Sequence, residues 1–202
     1  MMESSKVLTG IILAGGKSQR MGTDKGLVCF SGKPLVQYAI ELLSPFCSRI
    51  LISSNNPGYE RFGFEVVGDE YKDAGPMAGI ASCLKLSKTD GNLVVSCDMP
   101  LLDPVVIKTI LENVKENTFV VPTDSQGRAE PLCAFYRRSS IDIMQELIRA
   151  GSYRMTALFI HAPVRFVSPG DYPEKYNIQW FANFNSMEDL VKNCNAGQNK
   201  QQ

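Results

Sequence analysis

The chain has 202 residues, of which 44% are hydrophobic and 21% are charged, as is typical of a globular protein large enough to bury a core. Its 21 basic residues balance its 21 acidic ones, which excludes the general attraction to nucleic acid or anionic membranes that a strongly basic protein has. A single histidine, His161, and six scattered cysteines without a CxxC pair exclude zinc sites that need several histidines, and we expect reduced, mostly buried thiols.

The apolar segment from Val7 to Ala14 is shorter than a membrane span, and Glu3 and Lys6 before it do not fit a signal peptide. We therefore expect a cytoplasmic protein without membrane or nucleic-acid partners. No linker or internal repeat interrupts the chain, which predicts one domain over residues 1–194, and the polar residues 195–202 are expected to form a disordered tail.

The predicted elements alternate between strands and helices along the chain. An apolar, β-branched run at Val7–Leu13 predicts the first strand, a helical pattern follows from Pro34 to Leu43, and Arg49–Ser53 predicts the next strand. Further strands are predicted at 64–67, 93–96, 118–121 and 132–136, and further helices at 76–86, 104–115, 141–150, 155–159 and 186–192. This order predicts an α/β fold with a mostly parallel, doubly wound sheet and helices on both faces.

A glycine-rich loop, LAGGKSQRMGTDK, follows the first predicted strand, where the ligand crevice of an open α/β sheet usually lies. Three of its residues lack a Cβ and can adopt positive φ, which turns N–H groups toward an anion: Gly15, Gly16 and Gly22. Arg20 and Lys25 add positive charge. Because the loop matches neither GxxxxGK[ST] nor GxGxxG, it favours a nucleoside triphosphate with a leaving pyrophosphate over other phosphate ligands, the alternative being an ordinary surface turn.

A second motif, VVSCDMP, predicts a strand that runs directly into Asp98 at the carboxyl end of the sheet. Its carboxylate would face the same crevice, where it can hold Mg2+ that also binds triphosphate oxygens. The alternative is that Asp98 only braces a turn, although Asp103 and Pro104 already supply the cap and first residue of the next helix.

Two further segments carry weaker signals. Gly75–Gly79 begins a helix with small residues, which admit either a nucleotide or tight helix packing. Asp69 before it can accept hydrogen bonds from guanine, although an exposed loop aspartate is the ordinary interpretation. Asn185 precedes a Ser186-x-x-Asp189 capping arrangement and is an alternative Mg2+ ligand.

Together these motifs resemble the molybdenum cofactor guanylyltransferases. The resemblance rests on GIILAGGKSQRMGTDKG, GPMAG, SCDMP, EPLCAFY and FANFNSMEDL, which follow one another from Gly10 to about Leu190. It implies a Rossmann-like fold and transfer of GMP from GTP to the terminal phosphate of molybdenum-molybdopterin, with release of pyrophosphate. Mg2+ would be the cofactor, and a protein that delivers molybdopterin would be a further candidate partner.

The resemblance also assigns site positions. Residues matching the family's nucleotide contacts are Leu13, Ala14, Gly15, Gly16, Lys25, Asp69 and Asp98. Asp98 also matches the family's Mg2+ aspartate, and Asn183 and Asn185 match a late asparagine pair. Where the family often has an asparagine after the second strand, this chain reads Ser53-Ser54-Asn55, so either Asn55 substitutes for that contact or the contact is weaker.

The candidate catalytic residues are Arg20, Lys25 and Asp98. The two cations would stabilise the triphosphate in the transition state and Asp98 would place Mg2+, while the acceptor phosphate is itself the nucleophile and needs no histidine base. Arg154 is a candidate clamp for that phosphate, with a solvated surface charge as the alternative.

The LAGG sequence favours guanine over cytosine, because related cytidylyltransferases resemble LAAG there. Two alternatives stay open, namely another nucleotidyltransferase that uses CTP or a sugar phosphate, and a catalytically silent nucleotide-binding regulator.

Overall fold

A computed structural model describes residues 7–15, 24–71, 73–173, 175–186 and 188–189. The strands are β1 (Leu8–Leu13), β2 (Cys29–Phe30), β3 (Lys33–Pro34), β4 (Arg49–Ser53), β5 (Glu65–Val67), β6 (Gly91–Ser96), β7 (Phe119–Pro122), β8 (Cys133–Arg137) and β9 (Val164–Val167). The α-helices are α1 (Leu35–Leu43), α2 (Pro76–Leu86), α3 (Pro104–Glu112) and α4 (Ser140–Arg149). Short 3-10 helices lie at Lys25–Leu27, Pro57–Phe62, Met155–Ile160, Pro169–Asp171 and Ile178–Phe181.

These elements confirm the predicted alternation, with ends shifted by a few residues. Met155–Ile160 forms a 3-10 helix where an α-helix was expected. The hairpin of β2 and β3 and the strand β9 were not predicted, because their short runs carry little periodic signal. The helix predicted at 186–192 and the tail predicted at 195–202 lie largely or wholly outside the described residues.

Seven strands form one sheet in the order β5-β4-β1-β6-β8-β7-β9. All neighbouring pairs are parallel except those that β8 makes with β6 and β7, which confirms a mostly parallel, doubly wound sheet. From β1 the chain moves outward to β4 and β5 and then returns to place β6 on the other side of β1. This reversal is the switch point at which open α/β sheets bind ligands, beyond the carboxyl ends of the strands.

Hydrophobic residues cover both faces of the sheet. Ile12 of β1 packs in a cluster that contains residues of α1 and α3, whereas Ile11 packs in a second cluster with residues of α2 and α4. Both isoleucines are fully buried. Because successive side chains of a strand point to opposite faces, the sheet lies between two helical layers, as predicted.

The cysteines largely follow the expected pattern. Cys83, Cys97 and Cys133 are buried and Cys47 is partly buried, but Cys29 is exposed on the β2–β3 hairpin, so the expectation of a buried thiol is wrong there. A membrane-spanning helix, which would have to be long and apolar, does not occur within the described ranges.

Candidate active site

Three polar side chains meet beyond the carboxyl ends of β1 and β6. Lys25 begins the 3-10 turn that follows the glycine-rich loop, and its Nζ lies 2.6 Å from Asp98 Oδ2 and 2.6 Å from Asn185 Oδ1. The side chains of Lys25 and Asp98 are only 14% and 17% exposed, so water screens this ion pair less than a surface pair. The structure therefore joins two predicted catalytic residues and one residue of the late asparagine pair.

The second carboxylate oxygen of Asp98, Oδ1, is buried and lacks a hydrogen-bond partner among the described residues. A buried, unpaired carboxylate oxygen is energetically costly, which suits it to a bound cation or donor. The turn-bracing alternative is disfavoured, because Asp103 is the residue that caps α3, with its Oδ1 2.9 Å from Val105 N.

Asp24, which sequence reasoning missed, anchors the backbone next to Lys25. Its carboxylate accepts hydrogen bonds from the hydroxyl of Tyr59 and, at 3.0 Å, from Asn56 Nδ2. The same hydroxyl lies 3.0 Å from the carbonyl oxygen of Ala14, and burial raises the pKa of Tyr59, which keeps it a donor. In the sequence, Asp24 could have been recognised as a turn residue from its position two residues before Gly26, because aspartate commonly bonds to the backbone two residues further on.

On the other side of β1, Asp69 forms a polar group with Asn55 and Ser53. Asp69 N donates to Asn55 Oδ1 at 2.9 Å, and Asn55 Nδ2 lies 3.5 Å from Asp69 Oδ2. Partial burial raises the pKa of the Asp69 carboxyl, while hydrogen bonds from Asn55 and Ser53 lower it. The structure thus places Asn55 beside the predicted nucleotide contact Asp69.

Gly79 of α2 lies against this group, and its lack of a side chain leaves the space that Ser53 and Asp69 occupy. A Cβ added to Gly79 would collide with Ser53 Oγ and would lie 3.3 Å from Asp69 Oδ1. Of the two interpretations of GPMAG, tight helix packing therefore explains Gly79 directly. The name nucleotide side is used below for Ser53, Asn55, Asp69 and Gly79.

The start of the glycine-rich loop differs from expectation in two details. Gly15 is exposed, and its φ is not in the left-handed region, so it does not use the freedom attributed to it. The amide of Ala14 donates to the carbonyl of Ser53 at 3.0 Å and is not free for an anion. Both follow from continued pairing with β4, which keeps the backbone extended. Leu13 and Ala14 are buried, so their side chains belong to the core.

Several predicted residues lie elsewhere or outside the described ranges. Gly16, Arg20 and Gly22 belong to the residues that the structure does not describe. Arg154 is exposed at the start of the Met155–Ile160 helix, and no described contact joins it to Lys25, Asp98 or Asn185. Asn183 is exposed and makes only a 3.5 Å contact from its Nδ2 to the carbonyl of Phe181.

Glu130 is a second carboxylate near Asp98. In the antiparallel register of β6 and β8, Val95 pairs with Cys133, and Ser96 N donates to Leu132 O at 2.7 Å. Because β8 runs antiparallel to β6, the segment that leads into β8 and carries Glu130 lies at the carboxyl end of β6, the end that Asp98 follows. Burial, together with the negative charges of Asp98 and Asp124, raises the pKa of Glu130 to about 7. The name charged side is used below for Lys25, Asp98, Glu130 and Asn185.

Comparison with known proteins shows the family of the chain. The MobA-like NTP transferase domain model matches residues 10–164. A probable molybdenum cofactor guanylyltransferase of Clostridium perfringens is 36% identical over 189 residues, covering 90% of this chain and 94% of that protein. A molybdenum cofactor guanylyltransferase of Vibrio parahaemolyticus is 32% identical, covering 90% and 92%.

A solved structure shows the same fold. Molybdopterin-guanine dinucleotide biosynthesis protein A of Archaeoglobus fulgidus superposes with a TM-score of 0.79 at 24% identity, covering 96% of this chain and all of that one. The likeness confirms the Rossmann-like architecture. On the family match and the two relatives, the chain belongs to the MobA-like NTP transferases.

Proposed function

We propose that this protein transfers GMP from GTP to the terminal phosphate of molybdenum-molybdopterin, forming the guanine dinucleotide cofactor and pyrophosphate. The cluster of Lys25, Asp98 and Asn185 carries the proposal, because it places a cation and a carboxylate at the switch point of the sheet. Relatives named for this activity, similar over about nine-tenths of the chain, support the choice of nucleotide and acceptor.

Lys25 acts on the charge that develops on the leaving pyrophosphate. Its ammonium is held by Asp98 and Asn185 before substrate arrives, so little reorganisation is needed during the reaction. Arg20, from the loop that joins β1 to Lys25, would supply a second cation. Since the acceptor contributes its own phosphate oxygen as the nucleophile, the protein mainly has to position both substrates and stabilise charge.

The donor set fits Mg2+. Asp98 offers a buried oxygen to which no described residue donates a hydrogen bond, and Asn185 offers an amide oxygen that contacts Lys25. Magnesium prefers such oxygen ligands and usually completes its shell with water and substrate phosphates. When bound, the ion neutralises negative charge on the phosphate oxygens.

The nucleotide side supports the choice of guanine. The carboxylate of Asp69 can accept two hydrogen bonds, as the N1–H and N2 amino groups of guanine together require, and Asn55 and Ser53 hold it in place. Cytosine does not present that pair of adjacent donors. We therefore expect GTP to bind in preference to CTP.

The first test is thermal unfolding with Mg2+ and GTP, CTP, UTP or ATP in separate samples. A ligand at a hundred times its Kd stabilises a protein by about 2.7 kcal/mol, which is readily measured. We expect a Mg2+-dependent rise in Tm with GTP alone. A rise with CTP instead would favour a cytidylyltransferase, and no rise with any triphosphate would contradict the proposal.

A second test separates an enzyme from a silent regulator. Pyrophosphate release is measured with GTP and Mg2+, with and without molybdenum-molybdopterin. The proposal requires release that depends on the acceptor. Binding of GTP without any turnover in the presence of acceptor would support the regulator.

A further inference from the structure

A groove formed largely by residues 175–178 has no assigned role. It is open to solvent, has a volume of about 510 Å³ and is lined by Ser125, Lys175, Tyr176, Asn177 and Ile178. Ile178 is 65% exposed although its side chain is wholly apolar. A concave surface that combines exposed apolar groups with a few polar ones is typical of small-molecule sites. We call it the aromatic groove, after the rings described next.

A packed cluster of aromatic rings adjoins the groove through Tyr176. Trp180 lies with its ring centroid 5.4 Å from that of Tyr172 and 5.8 Å from that of Tyr176, and Tyr176 stacks on Phe181 with a 25° interplanar angle. Tyr172 and Trp180 are each only 7% exposed, so the cluster is firmly packed. It therefore holds Tyr176 in a fixed orientation at the wall of the groove.

Two hydroxyl groups of this cluster, Oη of Tyr172 and Oη of Tyr176, are buried and form no hydrogen bond with any described residue. Buried polar atoms in native proteins are nearly always bonded, and a phenol can both donate and accept. The unpaired hydroxyls are an observation independent of the groove's shape, and they indicate a polar ligand or water.

The ring cluster is tied to the reaction site through the chain that follows it. Phe184 N donates to the carbonyl oxygen of Asp98 at 2.9 Å, a few residues after Trp180. Trp180 also packs in the hydrophobic cluster that contains Cys97 and Met99, the neighbours of Asp98 in the chain. The segment that forms the groove is therefore anchored beside Asp98.

We propose that the aromatic groove binds the ring system of the phosphate-bearing acceptor, a planar, polar heteroaromatic group, with its phosphate directed toward Asp98. Tyr176 provides a stacking surface, and Lys175 at the wall provides positive charge for an anionic substituent. This inference rests on the proposed function, which supplies an acceptor whose phosphate attacks the bound nucleotide.

A second concavity serves as a control. It encloses about 350 Å³ and includes Ser48, Arg49 and Glu65 in its lining. Arg49 and Glu65 are the first residues of β4 and β5, so this cavity lies at the amino ends of the strands, at the opposite edge of the sheet from Asp98. An acceptor bound there could not bring its phosphate to the nucleotide.

The experiment measures steady-state turnover with molybdenum-molybdopterin as the varied substrate. Tyr176→Ala is expected to raise the KM for the acceptor about tenfold, the loss typical of one stacking surface. Lys175→Ala and Ile178→Ser should raise it about threefold, consistent with weaker rim contacts. The kcat and the KM for GTP should stay within about twofold in all three, and Ser48→Ala should change none of these constants.

Trp180 gives an independent readout, since it is the only tryptophan of the chain. A pterin ring absorbs light where indole emits, so acceptor binding should quench its fluorescence. The half-saturation concentration should rise in the groove variants in parallel with KM and stay unchanged in Ser48→Ala.

The outcomes separate the two proposals. The exposed side chains of Lys175 and Ile178 can be replaced without unfolding. If the wild type turns over and both Lys175→Ala and Ile178→Ser keep an unchanged KM for the acceptor, the groove assignment is overturned and the proposed function stays intact. Absence of wild-type turnover with GTP and acceptor would overturn the proposed function and the groove assignment together. Tyr176→Phe, which retains the ring, should keep most of the affinity lost in Tyr176→Ala.

Discussion

The nucleotide side and the charged side flank the same strand but are built differently. On the nucleotide side, Asp69 is held by Asn55 and Ser53, and Gly79 lets α2 approach closely. On the charged side, Lys25 bridges Asp98 and Asn185, while the other carboxylate oxygen of Asp98 has no hydrogen-bond partner in the described part of the chain. The groups of the nucleotide side thus bond to one another, whereas the described groups of the charged side leave one oxygen available to a ligand.

This difference indicates that the two sides contribute differently to the reaction, one to binding of the base and the other to stabilisation of the transition state. Groups that contact the base bind ground state and transition state about equally, so their loss should affect mainly KM. Groups placed where charge develops act more strongly in the transition state, and their loss should affect kcat. Substitutions on each side test whether effects on KM and effects on kcat separate in this way.

Asp98→Ala should have the largest effect. We expect kcat to fall by about 10²–10³ or more, because a group that organises charge around the phosphates is lost, while the protein stays folded. Asp103→Ala is the matched control: it removes the α3 cap, which should lower the free energy of unfolding by about 1 kcal/mol and leave kcat unchanged. Pyrophosphate release and thermal unfolding check both variants, and a fully active Asp98→Ala would reject the assigned role.

Gly79→Ala tests the nucleotide side. The added Cβ would collide with Ser53 Oγ and crowd Asp69, so we expect a loss of about 2 kcal/mol in unfolding free energy and a higher KM for GTP. In Gly15→Ala the new Cβ would meet Ser53 O at 3.6 Å, an ordinary contact, so its Tm should not change. If Gly79→Ala instead lowered kcat at unchanged KM, the division between the two sides would be wrong.

Tyr59→Phe tests the support beneath Lys25. It removes the hydroxyl that reaches both Asp24 and the carbonyl of Ala14, leaving polar groups without this donor. We expect a loss of about 1.5 kcal/mol in unfolding free energy, measured with urea, and a several-fold lower kcat. An unchanged unfolding free energy would show that water replaces these bonds fully.

Glu130→Gln should have the smallest effect, visible in the pH dependence of stability. The pKa of about 7 in the folded protein exceeds the ordinary value of 4.5, so the folded state holds a proton between these pH values that the unfolded state has released. This contribution is present at low pH and lost as the pH rises through 7. We expect the variant to lose about 1 kcal/mol less than the wild type between pH 5 and 8, after allowance for solvent screening. Identical pH profiles from urea unfolding would contradict this.

Much of the fold and part of the site could be predicted from local sequence. The placement of Asp98 at the crevice followed from a buried run that ends in a carboxylate, because the parallel strands of a sheet end at a common edge. Glu130 could not be found in this way. It lies at the same end of the sheet as Asp98 because β8 runs antiparallel to β6, and nothing within the β8 segment specifies its direction.

Arg154 shows what a local motif leaves open. An arginine near a helix start is compatible with a phosphate clamp, and the structure places it exposed, without a described contact to Lys25 or Asp98. The clamp therefore stays a prediction, because residue type and local motif do not fix where the acceptor phosphate lies.

The sequence by itself determined the alternation of strands and helices and the family, since both depend on motifs of residues close together in the chain. Only the tertiary structure decided that Lys25 binds both Asp98 and Asn185, which are 73 and 160 residues away, and that Asn55 pairs with Asp69. Such contacts depend on strand order and on the angles of packed helices. Those features are set by the burial of the whole core and not by any one segment.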